Sequence, residues 1–306
     1  ILKDLAPFVP ALSRFEEPLD LNLVFSGHGK HLDCPTLRLT NHHGLMIAGE
    51  AALSNWDAGM NMYIYGKLGN LTMTKEGINV LMTNLTGKVP PILQRLDYIR
   101  FNGEAAGYLH DLTLTGLFHT GAGMVKTDVM MSIDEQSMSR TYSGSVASAD
   151  LDLGKLLNQE KKFGKVDFNV ELKGFNYKNR YPESYIKGII SSFEYSQYQY
   201  ENIMLDGVYK DGGFNGRLSM DDANGSVQID GNFNVAKTIP DFNLKASVKN
   251  LRPHDLHLSD KYENASISLG LTADFTGKSI DDMNGRISLD SLQLNAPDEG
   301  GCFLDN

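Results

Sequence analysis

Cysteine is almost missing from this chain. Cys34 and Cys302 are the two it has in 306 residues, too few for a disulfide framework. A domain of this size does not need such staples, so their scarcity leaves the compartment open. Long apolar runs are missing as well. No uninterrupted stretch approaches the roughly 18–20 residues that span a bilayer as a helix, and no basic segment followed by an apolar run opens the chain. A signal or membrane anchor is therefore expected outside this piece. The chain begins at Ile1 and closes on GGCFLDN, and it reads as part of a longer protein. Positive charge is not gathered anywhere: the net charge is −10 and the sequence pI about 5.3. Without a Lys/Arg cluster there is no counterion-releasing surface, so no nucleic-acid partner is expected. Catalytic fingerprints are missing too, and the chain is read as having no catalytic set. What is present is 41% hydrophobic residues, enough for one large or two medium domains.

Those hydrophobic residues recur with period two. Leu19, Leu21, Leu23 and Phe25 alternate with Asp20, Asn22 and Val24. Val166, Phe168, Val170 and Leu172 alternate with Asp167, Asn169 and Glu171. Further on, Phe242, Leu244, Ala246 and Val248 alternate with polar residues, as do Ile267, Leu269, Leu271, Ala273 and Phe275. Successive strand side chains point to opposite faces, so each run predicts a strand with one apolar and one wet face. That is the signature of an antiparallel sheet, because parallel sheets read as continuous apolar runs. KDGG at 210–213, DDANG at 221–225, IDG at 229–231 and MNG at 283–285 supply the turns of tight hairpins.

Helix signals are few. Ile78, Leu81, Met82 and Leu85 follow helical spacing, with Thr74 as N-cap and Gly87 as stop. Pro90-Pro91 opens a second short helix through Ile92, Leu93 and Leu96. Residues 153–158 and 253–262 are each expected to hold a turn or two. The helical insert at 74–97 is read as the structural boundary between two β regions, 1–73 and 98–306.

Weak internal repetition runs through the β regions. Residues 267–289 lie over 17–39, with the Phe-Thr-Gly of one on the Phe-Ser-Gly of the other, and 166–176 ends its run in the same frame. This bears on FSGHGKHLDC at 25–34, where GHGK hints at a phosphate loop and His28, His31 and Cys34 at a metal site. In the 267–289 copy those three positions hold Lys278, Asp281 and Asn284. A phosphate loop also needs a Ser/Thr after the Lys and then a helix, whereas His31 and the strand-like TLRLT follow. The stretch is read as a strand-to-strand connection, with no metal and no cofactor. Asp211, Asn215 and Gly216 echo a calcium loop but read as a polar hairpin. The Asp pairs 221–222 and 281–282 sit in turns, where Asp bonds its own backbone. Tyrosines 177, 181, 185, 195, 198, 200 and 209 read as sheet-rim residues rather than a sugar-stacking surface.

NGRLSMDDANGSVQIDG (215–231), VKNLRPHDLHL (248–258), FTGKSIDDMNGRISLDSL (275–292) and FGKVDFNVELKG (163–174) together resemble the TamB-like branch of the AsmA-like envelope proteins of Gram-negative bacteria. The resemblance implies a mostly β fold: a long curled antiparallel sheet (a β-taco, an open solenoid-like trough) interrupted at 74–97 by a short helical insertion. It implies a periplasmic chain anchored in the inner membrane through a segment outside this piece. An apolar trough would shield the acyl chains of phospholipid or another lipid on the way to the outer membrane. An outer-membrane barrel partner of the TamA/BamA type would be met through regions outside this piece. On that reading Leu21, Leu23, Phe25, Phe168, Val170, Leu172, Phe242, Leu244, Ile267, Leu269, Leu271, Phe275, Ile287 and Leu289 line the groove. A scaffold for outer-membrane protein assembly and a β-helical glycan-active protein are the alternatives. The same alternation also suits a two-layer sandwich or closed β-helix whose apolar face fills itself.

Overall fold

Alternation and turn chemistry resolve into a chain that is mostly strand, antiparallel throughout, in a sheet that does not close on itself. The computed structural model describes residues 18, 20–134, 136–137, 139–176, 183–234, 237–260, 263–278, 282–296 and 302–304. Leu19, Tyr177, Tyr181 and Asp281 lie outside the described residues. The chain divides into two units, one of residues 1–135 and 146–160, the other of 136–145 and 161–306.

The first unit runs β1 (Asp20–His28), β2 (His31–Thr40), β3 (Leu45–Ser54), β4 (Tyr63–Thr74), α1 (Lys75–Thr86), α2 (Pro91–Gln94), β5 (Tyr98–Tyr108), β6 (Asp111–Thr120) and β7 (Gly123–Ile133). Each strand from β1 to β7 pairs antiparallel with the next. The final residues of β8 (Arg140–Asp152) and the short α3 (Leu153–Leu157) also belong here. FSGHGKHLDC is a strand-to-strand connection: β1 ends at His28, Gly29-Lys30 make the turn and β2 begins at His31.

The expected helix at 74–86 forms for the expected reasons. The Thr74 hydroxyl accepts from Gly77 N, and Gly87 closes the helix in the left-handed region at φ 77°. The insert, however, does not mark the boundary. Thr74 and Tyr98 on either side of it are register partners, so β4 and β5 pair directly and the helices are an excursion within the first unit. The division falls instead between 135 and 161.

The second unit is a longer meander: β9 (Phe163–Asn176), β10 (Glu183–Tyr195), β11 (Tyr198–Lys210), β12 (Gly213–Asp222), β13 (Gly225–Asn234), β14 (Asp241–Leu251), β15 (Ser266–Thr276), β16 (Asn284–Asn295) and the short β17 (Cys302–Leu304). Each pairs antiparallel with its successor. The turn or two expected at 253–262 is a single hydrogen-bonded turn in the described residues. Leu256 N donates to Arg252 O at 3.1 Å, and His257 enters the left-handed region at φ 55°, which stops propagation. Among the described residues no helix is long and apolar enough to cross a membrane.

Candidate functional site

Register turns the separate alternating runs into one surface in each unit. In the first, Leu21, Leu39, Ile47, Leu71, Phe101, Phe118 and Val125 are successive partners across β1–β7, and Leu23 pairs with Leu37 in the next row. Phe25 continues that face at the bulge between Val24 and Ser26 and is 62% exposed.

In the second unit three rows cross β9–β16 without a break, and a fourth runs over β11–β15. The deepest is Phe168, Ile190, Ile203, Met220, Val227, Val248, Leu269 and Leu292. The next is Val170, Gly188, Leu205, Leu218, Ile229, Ala246, Leu271 and Leu289. Above it lie Leu172, Ile186, Gly207, Gly216, Gly231, Leu244, Ala273 and Ile287. The last row places Tyr209, Phe214, Phe233, Phe242 and Phe275 on five consecutive strands. None of these four rows contains a charge. Every groove residue named from this part of the sequence, Ile267 included as the partner of Leu251 and Leu294, stands on this one face.

The opposite face is charged along one row, with the exposed pair Ile189 and Met204 in the row beside it. Glu171, Lys187, Asp206, Arg217, Asp230 and Lys245 are successive register partners, so charge alternates in sign from strand to strand. Arg217 Nε donates to Asp230 Oδ1 at 2.7 Å, and Lys187 Nζ lies 3.6 Å from Asp206 Oδ2. Gln228 and Arg217 together hold the Asp230 carboxyl below its usual range. Exposed pairs of this kind contribute little stability each, but the pattern fixes which face meets water. Neither the ladder nor the aromatic row was foreseen. Asp230 was expected in a turn at 229–231, yet it sits mid-strand, as Asp206 does, each beside a cation. Tyr185 belongs to this wet face and donates to Asp206 at 2.9 Å, so the tyrosines do not form one surface.

How far each apolar face is covered decides what it can do. Among the described residues, the largest fully buried side chains are Ile78 and Leu256. Each sits at one end of its unit's face. Ile78 of α1 packs with Leu96, Ile99 and Ala122 in the first unit. Leu256, on the turn after β14, packs on Tyr200 and Ile203, with Leu218 and Met220 beside them. In a two-layer sandwich the central rows would be buried most deeply. Here Leu205, Leu218, Ile229, Leu244 and Leu271 stay partly exposed, and Ile287 and Leu289 are 46% and 47% exposed. Ala246 and Ala273 are buried between these larger neighbours, but among the described residues no facing layer seals the large side chains of the rows.

The closed end of the second unit is a polar staple around an apolar plug. Tyr200 Oη donates to Leu256 O at 2.8 Å, and the Asp222 carboxylate accepts from Tyr198 Oη at 2.5 Å, Glu201 N at 3.1 Å and Asn224 N at 2.9 Å. Asp222 is thus engaged by its own fold. Burial, and then the Asp222 bond, push the Tyr198 phenol up to about 12. The neutral phenol is favoured in the folded state, so its contribution is fully present below the unfolded value of about 10. It is lost as pH rises through about 12. Urea unfolding should therefore weaken more steeply from about pH 9 to about pH 11 in the native chain than in Tyr198→Phe. Equal slopes would show that this phenol is not held as described.

His31 bonds Ser54 and Asp33, at 2.6 and 3.0 Å. Cys34 is buried, and burial raises its thiol. Among the described residues no group of three His, Cys, Asp or Glu is arranged to hold a metal ion. Comparison with family models, curated proteins and solved structures finds no match to this chain.

Proposed function

We propose that the chain is an acyl-chain-holding segment of a lipid-handling protein, each unit presenting an apolar sheet face against which hydrocarbon tails lie. The particular protein class proposed is the TamB-like branch of the AsmA-like family. On that reading the segment works in the periplasm between two membranes, shielding phospholipid tails on the way to the outer membrane. The observation that carries the reading is the apolar face of β9–β16: no charge within its rows, large aliphatics from Leu205 to Leu271 left partly exposed, and Ile287 and Leu289 at 46% and 47% exposed. An exposed apolar patch of that extent marks a binding surface. A tail gains roughly 0.8 kcal/mol per methylene removed from water, so such a face holds lipid without any catalytic set.

Lipid extracted from protein purified in the mildest detergent that keeps it soluble, and identified by mass spectrometry, tests this directly. Phospholipid at a reproducible ratio to protein is the expected result. A photo-crosslinker at Leu271 should capture it, and one at Asn243 on the wet face should not. Repeated preparations free of lipid, or equal capture at both positions, would sink the proposal.

A second reading, a scaffold that receives client strands of an outer-membrane barrel, is favoured by β1. All nine of its residues are exposed, among them Val24 at 55% and Phe25 at 62%, and such a strand offers backbone for augmentation. Crosslinks to barrel precursors from β1, with none from Leu271, would select it.

A further inference from the structure

β1 is an edge strand without the usual guards. It pairs with β2 on one side, and among the described residues no strand pairs with its other side. All nine residues of Asp20–His28 are exposed, and none is a Lys, an Arg or a Pro, the residues that keep such edges single. We infer that this edge is taken by β1 of a second copy of the chain, antiparallel and centred on Val24, in a dimer whose twofold axis passes through that residue. The inference goes beyond the tail-holding reading and does not depend on it.

The strand is complementary to itself. Residues directly opposite each other in an antiparallel pair share a face of the sheet. Centred on Val24, Asp20 meets the second copy's His28, Asn22 meets its Ser26, and Val24 meets its own counterpart. On the apolar face Leu21 meets the second copy's Gly27, and Leu23 meets its Phe25. Each carboxylate thus has an imidazole opposite it, and the contact is made twice because the interface is symmetric. Val24 and Phe25, 55% and 62% exposed on opposite faces, each gain an apolar partner. A register centred on Leu23 or Phe25 shortens the overlap and takes Asp20 away from His28. One centred between two residues sets the apolar side of one copy against the charged side of the other.

The irregularity in the β1–β2 hairpin leaves this edge regular. Between the partners Val24 and Thr36 and the partners Ser26 and Asp33, Phe25 of β1 stands against both Cys34 and Pro35 of β2. The extra residue is therefore β2's, and the alternation of β1 continues to His28. In the sequence ahead of β1, Pro7, Pro10 and Pro18 lack the N–H that a neighbouring strand donates to a ladder. Pairing about a twofold perpendicular to the sheet also keeps the apolar rows of the two first units on one side, with Leu23 of each beside Phe25 of the other. A β1 paired in this way has no edge left for a client strand.

Charge placed on the axis tests partner and register together in the full chain. Val24→Lys and Val24→Glu each set a like charge against itself across the twofold, whereas the two variants mixed set opposite charges together. Sedimentation of the native chain should give twice the chain mass. Each variant alone should give the single mass, and an equimolar mixture of the two should regain the double mass. Val24 lies outside the apolar rows, so circular dichroism of both variants should match the native chain. If either fails to fold, Asn22→Glu/Ser26→Glu, with carboxylates opposite each other in the same register, should be monomeric, and Asn22→Glu/Ser26→Lys should keep the dimer. A native chain that is monomeric throughout a dilution series overturns the inference. So does a dimer that survives these like-charge substitutions, or a mixture of Val24 variants that stays monomeric. Lipid capture at Leu271 is read separately in the second unit, so any of those results leaves the tail-holding reading standing.

Discussion

Gly216→Val is expected to unfold the second unit at a temperature roughly 10 °C lower than the native chain, a loss of about 3 kcal/mol or more. Gly216 stands between Gly207 and Gly231 in the glycine-rich row of the apolar face. A Cβ added there meets Asp206 O at 2.3 Å and Gly207 Cα at 2.5 Å. Both atoms are backbone of the neighbouring strand, so no rotamer change relieves the contact, and valine adds two further methyl groups. The strands must part, and the ladder bonds beside Gly216 are lost with them. Gly66→Val on β4 is the control, because a Cβ at that position meets nothing within 4 Å. Its midpoint should move far less. Comparable shifts for the two variants, by circular dichroism, would mean that close backbone approach does not shape this row.

Ile229→Asp should remove most bound lipid, at least about tenfold if several methylenes lose their contact, while leaving the fold nearly as stable as before. Ile229 lies between Leu218 and Ala246 in the middle of the four rows. Beneath a covering layer, an unpaired carboxylate there would cost several kcal/mol and would unfold the unit. On an uncovered face the carboxylate stays hydrated when lipid is absent, and its desolvation is felt when tails approach. The combination of lost lipid and retained melting temperature is therefore diagnostic. Asn232→Asp, on the wet face beside Asn215 and Asn243, should change neither property. Unfolding of Ile229→Asp would restore the packed-core interpretation, and lipid retained in a folded variant would refute tail binding at this face.

Some of the arrangement behind these expectations was legible before any coordinates. The period-two runs at 166–172, 242–248 and 267–275 became strands with the expected apolar side. KDGG at 210–213 and DDANG at 221–225 placed hairpins, whereas IDG at 229–231, read as a turn, lies inside β13, paired on both sides; Thr74 and Gly87 bounded α1, because capping chemistry acts over three or four residues. Phe-Asn-Gly at 214–216 is mirrored by Gly-Asn-Phe at 231–233. About the Asn224-Gly225 hairpin that symmetry already implied Phe214 beside Phe233 and Gly216 beside Gly231.

Other features had no local signal. Lys187, Asp206, Arg217, Asp230 and Lys245 form a ladder because five strands share one register, set jointly by turns and bulges along the chain. The insert at 74–97 looked like a boundary from its composition, but the pairing of Thr74 with Tyr98 keeps it inside one unit. The run at 253–262 keeps one turn, ended by the left-handed His257, and that it buries Leu256 against Tyr200 and Ile203 had no signal along the chain.

The sequence by itself determined strand content, the antiparallel sense, the caps of α1 and which side of each strand is apolar, since all follow from neighbours along the chain. Tertiary structure alone decided that those sides form uninterrupted rows, that one end of each face is closed by Ile78 or Leu256, and that the large central side chains stay partly exposed among the described residues. The physical reason is that coverage depends on which distant segments meet a surface, and alternation is the same whether a face meets protein, hydrocarbon or water.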